Sequence, residues 1–189
     1  SYNSTELVDA MRNMSFTSRD TARAADILMM MCKEKECTNI LTLAGSTSAA
    51  GCMQVYVDMV RNKMIDVVVA TGASIIDMDL FEALGFKHYI GEKENVIPDT
   101  TLRDLYIDRI YDTYIDEEEL QACDHTTFEI ANMLEARPYS SREFIYEIGK
   151  WLHEGNAVKK DSLIQTCYEC GVPIFVPAFS DSSAGFGIG

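Results

Sequence analysis

Basic residues are scarce in this sequence: 16 Lys and Arg stand against 30 Asp and Glu among 189 residues, a formal net charge of -14. With no basic stripe to neutralise phosphates, nucleic-acid binding is excluded as the main role. The acidic balance suits a cationic substrate or partner, although most acidic chains are simply soluble. No apolar run approaches the roughly 18 residues needed to cross a bilayer, and no secretory leader is visible. The sequence therefore reads as that of a soluble, cytoplasmic protein without a membrane partner. Three histidines occur, His88, His125 and His153. None is placed like a metal ligand; His88 reads as a surface residue and the other two as solvated or capping groups. Six cysteines are too dispersed for a disulfide framework. "CYEC" (167–170) is a CxxC without a second pair, so no metal is expected.

What is present fits one domain spanning residues 1–189, long enough to bury a core of its own. Helical patterns cover 5–14 and 18–35, the second with Thr17 or Ser18 as N-cap and Ala22, Ala25, Ile27, Leu28 and Met31 on one face. "NILTLAG" (39–45) and "IDVVVATGA" (65–73) read as buried strands, each followed by a helix (49–64 and 77–85), the latter stopped by Gly85. A short extended piece is expected at 87–91 and a polar excursion at 97–120. Tyr106, Tyr111 and Tyr114 in that excursion read as a packing cluster at a subunit contact. Helices follow at 117–136, 140–155 and 159–171, and "VPIFVPAF" (172–179) is a third buried strand with prolines at its ends. The second of these helices has Ser140 or Ser141 as its cap, and the acidic run 116–119 suits the positive end of the first. The strand–helix alternation predicts an α/β fold, a parallel sheet with helices on both faces.

All three strands end in small polar residues: "AGSTSAAG" (44–51), "ATGAS" (70–74) and "SDSSAG" (180–185). Ligands of open parallel sheets bind beyond the carboxyl ends of the strands, where small side chains let the backbone approach. The first loop lacks the GxGxxG pattern, having glycine only at 45 and 51. Any one such loop is as readily explained by tight packing; three on one sheet edge favour a ligand site. Asp77, Asp79 and Asp181 lie in or beside these loops, where a carboxylate could accept ribose hydrogen bonds or pair with an ammonium group.

The segments 43–91 ("LAGSTSAAG…FKHYIG"), 108–118 ("DRIYDTYIDEE"), 171–185 ("GVPIFVPAFSDSSAG") and 14–28 ("MSFTSRDTARAADIL") together resemble the deoxyhypusine synthase family, in order and spacing. The resemblance implies a Rossmann-like fold, NAD as cofactor and a homo- or hetero-oligomer, a tetramer of paired subunits with active sites at interfaces. It implies a reaction in which a hydride passes from spermidine to NAD. The aminobutyl group then reaches a lysine, finally one in the precursor of the hypusine-containing translation factor. The family's cofactor contacts fall on Gly45, Ser46, Thr47, Ser48, Ala49, Thr71, Gly72, Ala73 and Asp181. Its acidic pair, shared between ribose and polyamine, falls near 76–79, where only Asp77 or Asp79 can serve.

Two departures qualify that picture. Phe186 stands where spermidine-using members carry a second carboxylate. The family's lysine nucleophile belongs to a later segment with no counterpart here, and Lys159 and Lys160 precede the third strand and cannot replace it. The chain alone is thus expected to be inactive, with no catalytic residue of its own, and to need a second polypeptide segment that completes the domain. That segment would arise from proteolytic processing after the glycine-rich "GFGIG" end, a split gene or a truncation. Two alternatives stay open: a homospermidine synthase-like or other polyamine aminobutyl transferase, and a non-catalytic regulatory paralogue.

Overall fold

The computed structural model describes residues 3–92 and 97–185; the departure at Phe186 and the Gly189 end lie outside them. The backbone divides into two compact units, Ser1–Asn39 and Ile40–Gly189. The first is a helical pair, α1 (Thr5–Met11) and α2 (Phe16–Lys33), in which Ala22 is buried and Arg12 is ion-paired with Asp26. α2 begins earlier than the sequence suggests. Ser15 occupies the N-cap position and Thr17 already lies in the first turn, where its carbonyl accepts Thr21 Oγ1 at 2.8 Å. Ile27, expected to face inward, is 45% exposed.

The second unit contains, in chain order, β1 (Ile40–Leu43), α3 (Met53–Arg61), β2 (Val67–Ala70), α4 (Phe81–Ala83), β3 (Tyr89–Ile90) and α5 (Asp99–Asp104). There follow β4 (Ile107–Ile110), β5 (Thr113–Asp116), α6 (Glu117–Met133), α7 (Ser141–Trp151), α8 (Leu163–Cys170) and β6 (Ile174–Phe175). β1, β2 and β6 form a parallel three-stranded sheet in the order β1-β2-β6, with Ile40 opposite Val67 and Val68 opposite Ile174. The α/β expectation holds at this level. The strands are shorter than their apolar runs because the ladder ends where the chain turns. At β6 the limits are chemical: Pro173 and Pro177 flank it without N–H groups, and Val176 N–H donates instead to Ser141 Oγ at 3.1 Å.

The core lies between this sheet and α3, α6, α7 and α8, with Val57, Val68, Ile76, Phe81, Ile148 and Leu163 fully buried. Each such side chain contributes about 1.5–3 kcal/mol of burial. The starts of α6 and α7 follow the sequence closely, whereas α8 begins at Leu163, four residues later than expected. Asp116 caps α6 by accepting the Glu118 and Glu119 amides at 2.9 and 3.1 Å. Ser140, of the two candidates, caps α7 in a reciprocal pair with Glu143. The excursion at 97–120 builds a separate antiparallel sheet, β3-β5-β4. Within it Tyr106 and Tyr111 are exposed, while Tyr114 packs over Gly91.

Two helices that the sequence places after β1 and β2 start earlier: Ser48–Cys52, kinked at Gly51 (φ 87°), leads into α3, and the wide π-helical turn Ala73–Leu80 leads into α4. These turns leave the carboxyl ends of the strands and carry the first two small-residue loops. Among the described residues no helix is long and apolar enough to cross a membrane, and no group of three or more His, Cys, Asp or Glu could hold a metal.

Candidate functional site

The carboxyl edge of the parallel sheet brings the three loops into direct contact. Thr71 N–H extends the β2 ladder by donating to Leu43 O at 3.2 Å. Ser74 then links the first two loops: its Oγ donates to Gly45 O at 2.8 Å and lies 3.1 Å from Thr71 Oγ1. Ser48 returns the connection, its Oγ reaching Ser74 O at 3.5 Å. The third loop meets the second at Gly72. A Cβ built there would lie 2.6 Å from Ser182 Cβ and 2.8 Å from Ser182 Oγ, so only glycine admits the contact. Gly72 has φ -57° and ψ -41°, helical values open to any residue, so closeness and not backbone freedom is what requires it.

Gly45, Ser46, Thr47, Ser48, Ala49, Thr71, Gly72 and Ala73 thus share one edge. Thr47 Oγ1 is buried without a hydrogen-bond partner, an unmet polar group within the first loop. Asp181 is exposed at the end of the 3₁₀ turn Phe179–Asp181, on the loop that carries Ser182 and Ser183.

The two acidic candidates separate. Asp79 is 2% exposed and accepts the Leu163 and Ile164 amides at 2.9 and 2.8 Å, capping α8 from 84 residues away in sequence. Burial pushes its carboxyl up to about 7, against the pull of those two amides. Both oxygens are spoken for within the fold. Asp77, by contrast, faces the third loop, where Ser183 Oγ lies 2.9 Å from its Oδ1. The same hydroxyl is 2.6 Å from Asp124 Oδ1, on α6. Sequence reasoning named neither Ser183 nor Asp124. The former lay within a flagged loop, but the latter sits in an ordinary helix with no local signal.

Burial raises the Asp77 carboxyl to about 6, with Ser183 opposing and the Asp124 charge reinforcing the rise. Asp124 is raised as well, chiefly by burial. Between about pH 4 and pH 6 the folded chain therefore holds a proton at Asp77 that the unfolded chain has released, and stability falls as pH rises through this window. Asp77→Asn is expected to gain on the wild type by about 1–2 kcal/mol across that window, allowing for partial solvent exposure. Urea midpoints of both proteins at several pH values check it; a constant difference would refute the assignment.

His88 corrects the surface reading. Its side chain is 6% exposed, its Nδ1 lies 3.0 Å from Glu82 Oε1, and its ring packs on Phe81 at 5.1 Å. The imidazole is drawn in because Glu82 offers it a partner beside an aromatic face, and Lys159 pairs with the other Glu82 oxygen. Hydrogen bonding from His88, followed by Lys159, keeps the Glu82 carboxyl below its usual range. His125 and His153 are solvated, each beside a glutamate on a helix. Lys160 is exposed, and Cys167 and Cys170 are free thiols within α8, the first buried and the second exposed.

Comparison with known proteins places this edge in context. A family model described as "Deoxyhypusine synthase" matches residues 6–188. A "Deoxyhypusine synthase-like protein" of Caulobacter vibrioides is 70% identical over 188 residues, covering 100% of this chain and 51% of the relative. Its namesake in Coxiella burnetii is 63% identical over 182 residues, covering 96% and 51%. Among solved structures, a candidate deoxyhypusine synthase from Entamoeba histolytica superposes with a TM-score of 0.68 at 20% identity, covering 99% of this chain and 62% of the other, a likeness of fold. The chain spans about half the length of the curated relatives it matches. By the match over nearly its whole length, this chain belongs to the deoxyhypusine synthase family.

Proposed function

We propose that this chain is the NAD-binding part of an aminobutyl transferase of the deoxyhypusine synthase type, with a Rossmann-like sheet finished by a second segment. The observation that carries the reading is the interlock of three small-residue loops at the carboxyl edge, fixed by Ser74 and by the Gly72–Ser182 approach. The residues fit a dinucleotide. Thr47 Oγ1 is a buried hydroxyl still lacking a partner, and Gly45–Ala49 and Thr71–Ala73 follow the carboxyl ends of β1 and β2, where backbone amides would meet the ligand. Asp77 would accept ribose hydroxyls or hold an ammonium group, and Asp181 would contact the cofactor from the third loop.

Bound NAD would supply the hydride acceptor for amine oxidation and later return the hydride. This chain's part is to hold the nucleotide, orient the amine against Asp77 and keep water from the reacting carbon. Lys159 is ion-paired with Glu82, and the transfer lysine is assigned to the second segment. Relatives of about twice this length support a second segment that carries the nucleophile. Oligomerisation as paired subunits and a cytoplasmic location belong to the same reading.

The test uses the complete protein that carries this chain. NAD is titrated calorimetrically, and release of the diamine fragment from spermidine is followed with and without the acceptor protein. Saturation by NAD in the micromolar range, with spermidine cleavage and protein labelling, is the expected result; no NAD binding at millimolar concentration defeats it. Cleavage that transfers to a small amine and not to protein would mark the homospermidine synthase-like reading, which the missing carboxylate at Phe186 favours. NAD binding without cleavage would mark a regulatory paralogue.

A further inference from the structure

We propose that Asp124, on α6, is a second carboxylate of the amine-binding end of the crevice, joined to Asp77 through the Ser183 hydroxyl. This rests on the aminobutyl-transfer reading and adds a specificity residue to it. Ser183 Oγ lies 2.9 Å from Asp77 Oδ1 and 2.6 Å from Asp124 Oδ1. A hydroxyl has one proton to donate, so it satisfies one carboxylate and leaves the other oxygen facing it across a hydrogen-bond distance. Two charged carboxylates so placed repel one another; the Ser183 backbone N–H, which also donates to Asp77, offsets this in part, and a proton shared between them or a cation beside them offsets it further.

Among the described residues no side chain supplies such a cation. Neither Asp77 nor Asp124 is ion-paired with a Lys, Arg or His among the described residues, although eleven such pairs occur elsewhere. The other titratable groups acting on the pair, Cys123 and Glu117 on α6, add negative charge or none. Both carboxylates are only partly buried and remain open to a ligand. Their mutual position is also built in. Cys123 Sγ lies 3.6 Å from Ile76 O, tethering α6 to the segment that carries Asp77 and thereby setting the next residue, Asp124, opposite it. A primary ammonium group has three N–H donors and a full charge, and answers this pair of acceptors better than a ribose hydroxyl does. Its binding would displace the shared proton, so affinity for the amine would rise as pH rises through the range in which the pair ionises.

The test uses the complete protein carrying Asp124→Asn or Asp124→Glu, with spermidine and NAD as probes. Asp124→Asn is expected to raise the spermidine KM about tenfold, the loss of one charge-assisted contact, with NAD affinity unchanged within about twofold. It should also flatten the improvement in spermidine KM between about pH 5 and pH 7. Asp124→Glu, which keeps the charge, should stay within about threefold of the wild type. An unchanged KM and pH profile in Asp124→Asn overturns the inference, as does an equal loss in both variants, which would mark a packing role. Wild-type protein that neither binds NAD nor cleaves spermidine overturns the underlying reading instead, so the two failures are distinguishable.

Discussion

Asp79→Ala is expected to lower the unfolding free energy by about 3 kcal/mol, a Tm loss on the order of 6–12 °C for a chain of this size. The substitution removes the acceptor for two buried amides, Leu163 N–H and Ile164 N–H, at 2.9 and 2.8 Å. Water cannot replace it, because Asp79 is 2% exposed and Leu163 and Ile164 are 0% and 1% exposed. The N-cap residue Ser162 still accepts Gln165 N–H at 3.1 Å, so the cost is that of two buried donors left unmet, about 1–3 kcal/mol for each. Asp79→Asn retains an acceptor oxygen and should lose about half as much. Thermal and urea unfolding followed by circular dichroism measure both; an Asp79→Ala protein within about 0.5 kcal/mol of the wild type would contradict the capping role. On the proposed NAD-binding reading, NAD affinity of the variant below its melting range should match the wild type, because Asp79 accepts the Leu163 and Ile164 amides of α8.

Gly72→Ala carries the second large effect. At φ -57° and ψ -41° alanine is as comfortable as glycine, so any loss is steric. The added methyl would sit 2.6 Å from Ser182 Cβ and 3.2 Å from Phe179 O, forcing the third loop away from the second. Overpacking of this kind costs about 1–3 kcal/mol, and the displaced loop should weaken NAD binding about tenfold or more. Ser182→Gly clears two of the three close contacts, at the loss of the 2.9 Å Ser182 Oγ to Phe179 O bond. The double variant should therefore bind NAD better than Gly72→Ala alone, a coupling that independent sites would not show. If Gly72→Ala binds NAD as tightly as the wild type in the complete protein, the interlock does not shape the nucleotide site.

Much of this arrangement is legible in the chain itself. Val67, Val68 and Val69 announce a strand, though only Val68 of the three is fully buried and Ile40 and Phe175 of its neighbours are exposed; Ser140 with Glu143 announces a helix start, and runs of small residues mark the strand ends. What escapes is long-range pairing. Nothing around Asp79 reveals that its carboxylate caps a helix beginning at residue 163, and nothing in "LQACDHTT" shows that Asp124 turns toward the third loop. His88 looks like a surface residue until Glu82 and Phe81, on the preceding turns, are folded against it. The π-helical entry at Ala73 is similarly hidden, because a wider turn keeps almost the same apolar spacing as an ordinary one.

The prolines around β6 have a consequence for the molecule during its synthesis. With Pro173 and Pro177 removing donors on either side, the strand offers two rungs and no more. So brief an edge is a poor template for stacking against other copies during synthesis, when neighbouring nascent chains are crowded together. A two-residue strand offers any neighbour little backbone to read, so pairing there depends on side chains, which guards against promiscuous association.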